Sequence, residues 1–116
     1  MSKKRRDRDF LGDIQEALEM IRLYTKGLTY RKFLDDRKTQ DAVVRNFEVI
    51  GEAAKNVSKD LKTKHPEVEW KNIVGLRDKL IHFYFGIDYK IVWNITKKEL
   101  PKLRKQINEI FKQQAD

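Results

Sequence analysis

Val43, Phe47, Ile50, Ala54, Val57 and Leu61 follow one another at alternating steps of four and three residues. At 3.6 residues per turn that spacing puts all six on one side of a helix, whereas a strand would send them to both faces of a sheet. The chain is thereby committed to a long amphipathic helix with one core stripe. The spacing recurs in Phe10, Leu11, Ile14, Ala17, Leu18 and Ile21, a first helix that Gly27 is placed to end. A third stripe, Ile73, Leu76, Leu80 and Phe83, follows Trp70 and runs toward Gly86, where glycine suits a left-handed helix end. A fourth, Ile91, Ile95, Leu103, Ile107 and Ile110, starts after Asp88, a capping residue. Pro101, which has no backbone N–H, should divide that stripe into two segments meeting near Lys98.

Between the stripes the sequence is short of structure. Tyr30, Phe33 and Leu34 suffice for one or two turns, Asp35 to Gln40 reads as a polar connection, and His65-Pro66 ends the second stripe because proline disfavours helix in the residue before it. With 5 Gly and 2 Pro there are too few turn formers for a sandwich or barrel, and strand-type alternation and internal repeats are absent. The expected fold is all-α: four main helices and a short extra turn in a bundle. A length of 116 residues allows one domain, 1–116. Its first eight residues, rich in Lys and Arg, are expected to fray as a basic arm.

The balance of 26 Lys and Arg against 18 Asp and Glu gives a net charge of +8. Such an excess suits polyanionic partners, nucleic acid among them, without identifying one. There is no Cys, which removes disulfides, thiolate metal sites and cysteine nucleophiles. No apolar run approaches the ~18 residues of a membrane span, and the basic opening lacks the apolar stretch of a secretion signal. The sequence reads as that of a cytoplasmic protein with no membrane association.

Most catalytic templates find nothing here: no glycine-rich phosphate loop, no His-Glu-x-x-His and no Gly-x-Ser-x-Gly. His65 and His82 are the only histidines, neither has a partner at metal-ligand spacing, and no metal or cofactor is expected. The exception is Arg77-Asp-Lys-Leu-Ile-His82-Phe-Tyr84. Imidazole exchanges protons near neutrality, and the guanidinium fork fits phosphate oxygens. Together they suit cleavage of RNA, in which a base activates the 2′-hydroxyl and a cation meets the charge developing on phosphorus. On one ideal helix His82 would lie about 140° around from Arg77. Either the helix unwinds before Gly86, or a two-fold dimer sets Arg77 of one chain against His82 of the other; the dimer is the arrangement we favour. Against this stands an ordinary reading, a local hydrogen-bonding histidine and a core tyrosine with a polar tip.

The wider context favours the catalytic reading. The blocks Asp41-Ala-Val-Val-Arg-Asn-Phe-Glu-Val-Ile-Gly-Glu-Ala-Ala54, His65-Pro-Glu-Val-Glu-Trp70, Gly75-Leu-Arg-Asp-Lys-Leu-Ile-His-Phe-Tyr84, Val92-Trp93 and Leu100-Pro101 resemble the HepT-like branch of the HEPN superfamily in order and interval. The resemblance implies an antiparallel four- to five-helix bundle that homodimerises. It also implies a toxin ribonuclease paired with a minimal nucleotidyltransferase antitoxin, alone or in a larger heteromeric complex. The family signature Arg-x-x-x-x-His-x-Tyr falls on Arg77, His82 and Tyr84. It implies that Arg77 and His82 are catalytic and that Tyr84 accepts AMP from the antitoxin. Asp78 matches the family's acidic neighbour and either orients a group in the cleft or is a surface carboxylate.

On the second helix Arg45, Glu48 and Glu52 lie opposite the core stripe, as a solvated face with local ion pairs or as part of a cleft. The resemblance around Arg45-Asn46 and Gly51-Glu52 tilts toward an interface or site-supporting role. Mid-helix Gly51 suggests close helix packing. Trp70 and Trp93 read as core or interface anchors, and His65 as a turn residue. Lys102, Arg104 and Lys105, with the basic arm, either track an RNA backbone or keep the protein soluble. Two further functions compete with the nuclease: a catalytically silent helical partner of a nucleotidyltransferase or of RNA, and a structural dimerisation bundle.

Overall fold

The computed structural model describes residues 5–82 and 86–114. Helices α1 (Asp7–Thr25), α2 (Tyr30–Leu34), α3 (Arg37–Asn56), α4 (Lys59–Lys64), α5 (Trp70–Val74) and α6 (Leu76–Leu80) lead into a small antiparallel pair. That pair is β1 (Ile81–His82) and β2 (Gly86–Ile87), with Ile81 opposite Ile87 and His82 opposite Gly86. Helices α7 (Tyr89–Lys98) and α8 (Leu100–Gln113) complete the chain. The all-α expectation holds, and no helix among the described residues is long and apolar enough to cross a membrane.

The frame is α1, α3 and α8. Asp7 at the start of α1 bonds Ser58, just beyond the end of α3, so these two helices run antiparallel. Arg8 bonds the carbonyl of Gln114, Gln15 donates to Asn108 at 2.8 Å, and Arg104 lies 3.7 Å from Glu19, so α8 runs antiparallel to α1 along its length. The predicted stripes form the core: Leu11, Ile14 and Ile21 of α1, Val43, Phe47 and Ile50 of α3, and Ile107 and Ile110 of α8 are fully buried. Phe33 anchors α2 beneath Trp93 of α7, ring centroids 5.2 Å apart.

The structure corrects the sequence reading at five points. Asp7 and Arg8 of the basic arm belong to the first turn of α1; Arg8 stacks its guanidinium 4.5 Å from the Phe111 ring, and the Asp9 carboxylate accepts from the Arg6 N–H. The supposed connection Asp35–Gln40 is largely the start of α3: Asp36 caps it through the Thr39 N–H, and buried Gln40 donates to the carbonyls of Phe33 and Leu34 at the end of α2. The second long helix is two, because Val57 turns extended and the Ser58 hydroxyl caps α4 through the Leu61 N–H. Val57 and Leu61 stay buried across that break, so the stripe gave no sign of it. The third helix breaks at Gly75 and ends at Leu80, not at Gly86. Gly86 does adopt a left-handed φ of 78°, but within β2, a strand pair that no alternation announced.

Other punctuation falls where expected. Gly27 is left-handed, with φ 76°, just past the end of α1. Asp88 caps α7 through the N–H groups of Lys90 and Ile91, and Glu99 joins α7 to α8 one residue from Lys98, ahead of Pro101 in the first turn.

Candidate active site

Gly51 sets how closely the two walls of the site approach. A Cβ there would stand 3.3 Å from the Val74 carbonyl oxygen and 3.5 Å from that of Ile73, so the missing side chain lets α3 lie against the end of α5. Beyond this contact the chain breaks at Gly75 and re-forms as α6. The outward face of α3 and the exposed side of α6 then bound a groove of about 590 Å³.

Into this groove α3 presents Arg45, Glu48, Glu52 and Lys55, and α6 presents Arg77 and Asp78. The far rim is an ion pair, Arg5 to Asp13 at 2.8 Å, with the Arg5 guanidinium also 4.9 Å from the Phe10 ring centre. The hydrogen bond that Arg5 donates to the Asp13 carboxylate raises the Arg5 pKa, keeping that rim charge fixed. Four cations thus face four carboxylates. Among the described residues no hydrogen bond or ion pair holds Arg77, which leaves its donor fork for a ligand.

Five of the sequence candidates, Arg45, Glu48, Glu52, Arg77 and Asp78, therefore share one groove although α3 and α6 are well separated in sequence. Asn46 does not join them. Its amide donates to the Ala42 carbonyl at 2.9 Å, and it lines a smaller hollow on the α1 side with Asp13 and Met20.

His82 lies in β1, two residues past the last helical residue of α6. The helical angle of 140° between it and Arg77 accordingly does not apply, because the helix ends before His82. Tyr84 lies outside the described residues. His65 is the C-cap of α4, with Nδ1 3.2 Å from a Glu67 carboxylate oxygen and its carbonyl accepting from Trp70 Nε1 at 2.9 Å. It belongs to a turn and does not line the groove.

The residues that sequence reasoning missed are Lys55, Asn56 and the Arg5–Asp13 pair. Lys55 and Glu52 are three apart and Glu48 and Glu52 four apart, so extending the Arg45–Glu48–Glu52 face by one turn would have found Lys55. Nothing in the sequence announces that Arg5 reaches Asp13 across two turns.

The chain matches the family described as Ribonuclease HepT-like over residues 14–110. It is similar to a protein of Thermococcus cleftensis named "Probable ribonuclease HepT", 44% identical over 109 residues that cover 94% of this chain and 99% of the other. Two proteins named "Putative RNase" are also similar. One, from Methanocaldococcus jannaschii, is 50% identical over 90% of this chain and 87% of its own. The other, from Caldanaerobacter subterraneus subsp. tengcongensis, is 43% identical over 92% of this chain and 96% of its own. No solved structure matches the chain significantly.

Proposed function

The chain belongs to the ribonuclease HepT-like family, and on that premise we propose that it is the toxin of a toxin–antitoxin pair, a metal-independent endoribonuclease whose chemistry rests on Arg77 and His82. The observation that carries this reading is the placement of the signature. Arg77 stands in the groove between α3 and α6, and His82 follows where α6 gives way to β1.

The chemistry follows from the two side chains. Arg77 holds the scissile phosphate through its fork of N–H donors and meets the negative charge that develops on the phosphoryl oxygens. His82 takes the proton of the adjacent 2′-hydroxyl, the 2′-oxygen attacks phosphorus, and the P–O5′ bond breaks. The products are a 2′,3′-cyclic phosphate and a 5′-hydroxyl, whose oxygen takes its proton from the imidazolium of a second copy. A homodimer with its two-fold axis over the groove supplies that second histidine and presents two Arg and two His to one RNA backbone.

Glu48, Glu52, Arg45 and Asp78 support the site as its walls. The carboxylates of Glu48, Glu52 and Asp78 discourage RNA from settling anywhere but against the cations. Neutralisation runs through Tyr84. A minimal nucleotidyltransferase antitoxin adds AMP to its phenol, placing bulk and negative charge beside a site for an anionic backbone, so that RNA is excluded by sterics and repulsion. The complex of toxin and antitoxin is cytoplasmic.

The deciding experiment incubates the protein, shown by mass to carry no AMP, with cellular RNA in excess EDTA, beside folded His82→Ala and Arg77→Ala variants. Cleavage by the parent alone is expected, with rates in the variants lower by about 10² to 10⁴. Equal cleavage by all three would place the activity elsewhere. No cleavage by the unmodified dimer would leave a silent helical partner of a nucleotidyltransferase or of RNA.

A further inference from the structure

Four grooves among the described residues differ in the sign of their walls. The Arg77 groove balances four cations with four carboxylates. The hollow beside Asn46 carries only Asp13 and Glu16 as charged groups. A third, between α5 and the α7–α8 junction, sets Lys79, Lys98 and Lys102 against Glu67, Glu69 and Glu99. The fourth, about 270 Å³, lies between the C-terminal end of α1 and the same junction, and every charged side chain lining it is a cation: Arg22, Lys26, Lys97 and Arg104.

Glu19 at its margin accepts from Arg22 Nε at 3.0 Å and lies 3.7 Å from Arg104. Four cations less this one carboxylate leave an excess of three positive charges. Part of the clustering has a local cause. The end of α1 is the negative end of a helix dipole, which favours Arg22 and Lys26. Lys97 serves it directly, donating to the Thr25 carbonyl at 3.3 Å with its ammonium 4.8 Å from the Trp93 ring centre. Arg104 has no such cause, because it comes from the N-terminal half of α8, whose dipole offers a cation no advantage. The floor is Leu18, Ile21 and Leu100 with two buried threonines whose hydroxyls bond the carbonyls of Ile21 and Val92 within their own helices. The groove is thus an apolar trough with a cationic rim.

We propose that this groove binds the sugar-phosphate backbone of a single RNA strand and supplies the electrostatic affinity that the balanced Arg77 groove lacks. The inference rests on the ribonuclease reading above. A polyanion gains affinity from each cation that displaces its condensed counterions, and walls with equal numbers of both signs give little net attraction. The two grooves sit at opposite ends of α1. Asp13 lines one and Lys26 the other, thirteen residues or about 20 Å apart at 1.5 Å per residue. To place a distant phosphodiester at Arg77, one strand held by its phosphates at the basic groove must therefore pass about 140° around α1 as well as along it.

The test measures binding of a fluorescent single-stranded RNA of about 12 nucleotides, within the usual span of single-strand sites, to full-length His82→Ala protein, which keeps the probe intact. Lys26→Gln with Arg104→Gln is compared with Lys64→Gln and Lys71→Gln, two exposed cations that line none of the four grooves. Loss of two phosphate contacts should weaken binding roughly tenfold near 0.1 M salt and flatten the plot of log Kd against log salt by about 1.4. The control pair should bind nearly as the parent does. If losing the Arg104–Glu19 contact lowers Tm, Lys26→Glu alone interrogates the same groove and should weaken binding severalfold.

Equal weakening by both pairs would mean that only net charge matters, and would overturn the proposal. So would unchanged binding by the groove variants, or no RNA binding at all. Displacement of the strand by AMP at comparable concentration would identify the ligand as a free nucleotide, and the strand would be wrong. Because the probe is read without cleavage, failure here is separable from failure of the nuclease reading, which the EDTA assay alone decides.

Discussion

Helices α1 and α3 run for 19 and 20 residues without interruption, whereas the stretch that carries Arg77 and His82 breaks into helices of six, five and five residues and a two-residue strand. The long helices satisfy their backbone groups internally and bury one continuous face. The broken stretch draws on side chains instead: Ser58 caps α4, Asp7 holds the Ser58 N–H and hydroxyl at 2.7 and 2.6 Å, and Trp70 Nε1 takes the His65 carbonyl. An unbroken helix fixes the angle between residues five apart, so a site that uses both Arg77 and His82 gains from a place where the helix stops. The long helices provide stiffness against which that irregular segment is held.

The stiffness of the long helices rests most heavily on Phe47. This ring is fully buried in the middle of α3, and Phe47→Ala should cost about 3–5 kcal/mol through lost burial and the cavity left behind. Against a typical total of about 5–15 kcal/mol that is a large share, so thermal unfolding monitored by circular dichroism should shift down by more than about 10 °C. A shift of only a few degrees would show that the long helices are not the stiff element.

Gly86→Ala acts on the other side of the comparison. At φ 78° an alanine is strained by roughly 1–2 kcal/mol, and among the described residues no atom beyond its chain neighbours lies within 4 Å of the added Cβ, so strain is the dominant effect. Since Gly86 pairs with His82 across the two strands, the expected result is a Tm lower by only a few degrees beside a loss of RNA cleavage of tenfold or more. Equal losses of Tm in Gly86→Ala and Phe47→Ala would erase the distinction between frame and site segment.

The same division governs what could be read from sequence. Periodicity reports burial, so the stripes through Phe47, Ile14 and Ile107 located the core and the all-α class directly. Burial is also why the break at Val57–Ser58 was invisible: both sides of it remain in the core. The end of α6 at Leu80 was missed for another reason, because Ile81 and His82 continue the local composition while their backbone is drawn into pairing with Gly86 and Ile87, a contact between chain segments that no local pattern encodes. Within the groove, Arg45, Glu48 and Glu52 were legible as one face of a helix, but their meeting with Arg77 depends on Gly51, whose significance lies in the carbonyl oxygens of Val74 and Ile73 packed above it.

The smallest effect concerns the start of α3. The Asp36 carboxylate accepts from the Thr39 hydroxyl at 2.7 Å and the Thr39 N–H at 3.0 Å, and these bonds, the hydroxyl's first, hold its pKa below the usual 3.8. In the unfolded chain the group returns to its ordinary value, so between the two values the unfolded state binds more protons and stability rises with pH. The contribution is complete above about pH 4 and disappears as pH falls through the lower, folded value. Asp36→Asn keeps a good capping acceptor but removes the titration. The Tm of parent and variant should therefore differ by a constant above pH 4 and draw together below it, by less than either effect above because the group is only partly buried. Glu19, lowered by its bond to Arg22, adds acid sensitivity of the same sign but is common to both proteins, so the difference isolates Asp36. Curves that stay parallel down to pH 2 would mean that this cap contributes to α3 through geometry alone.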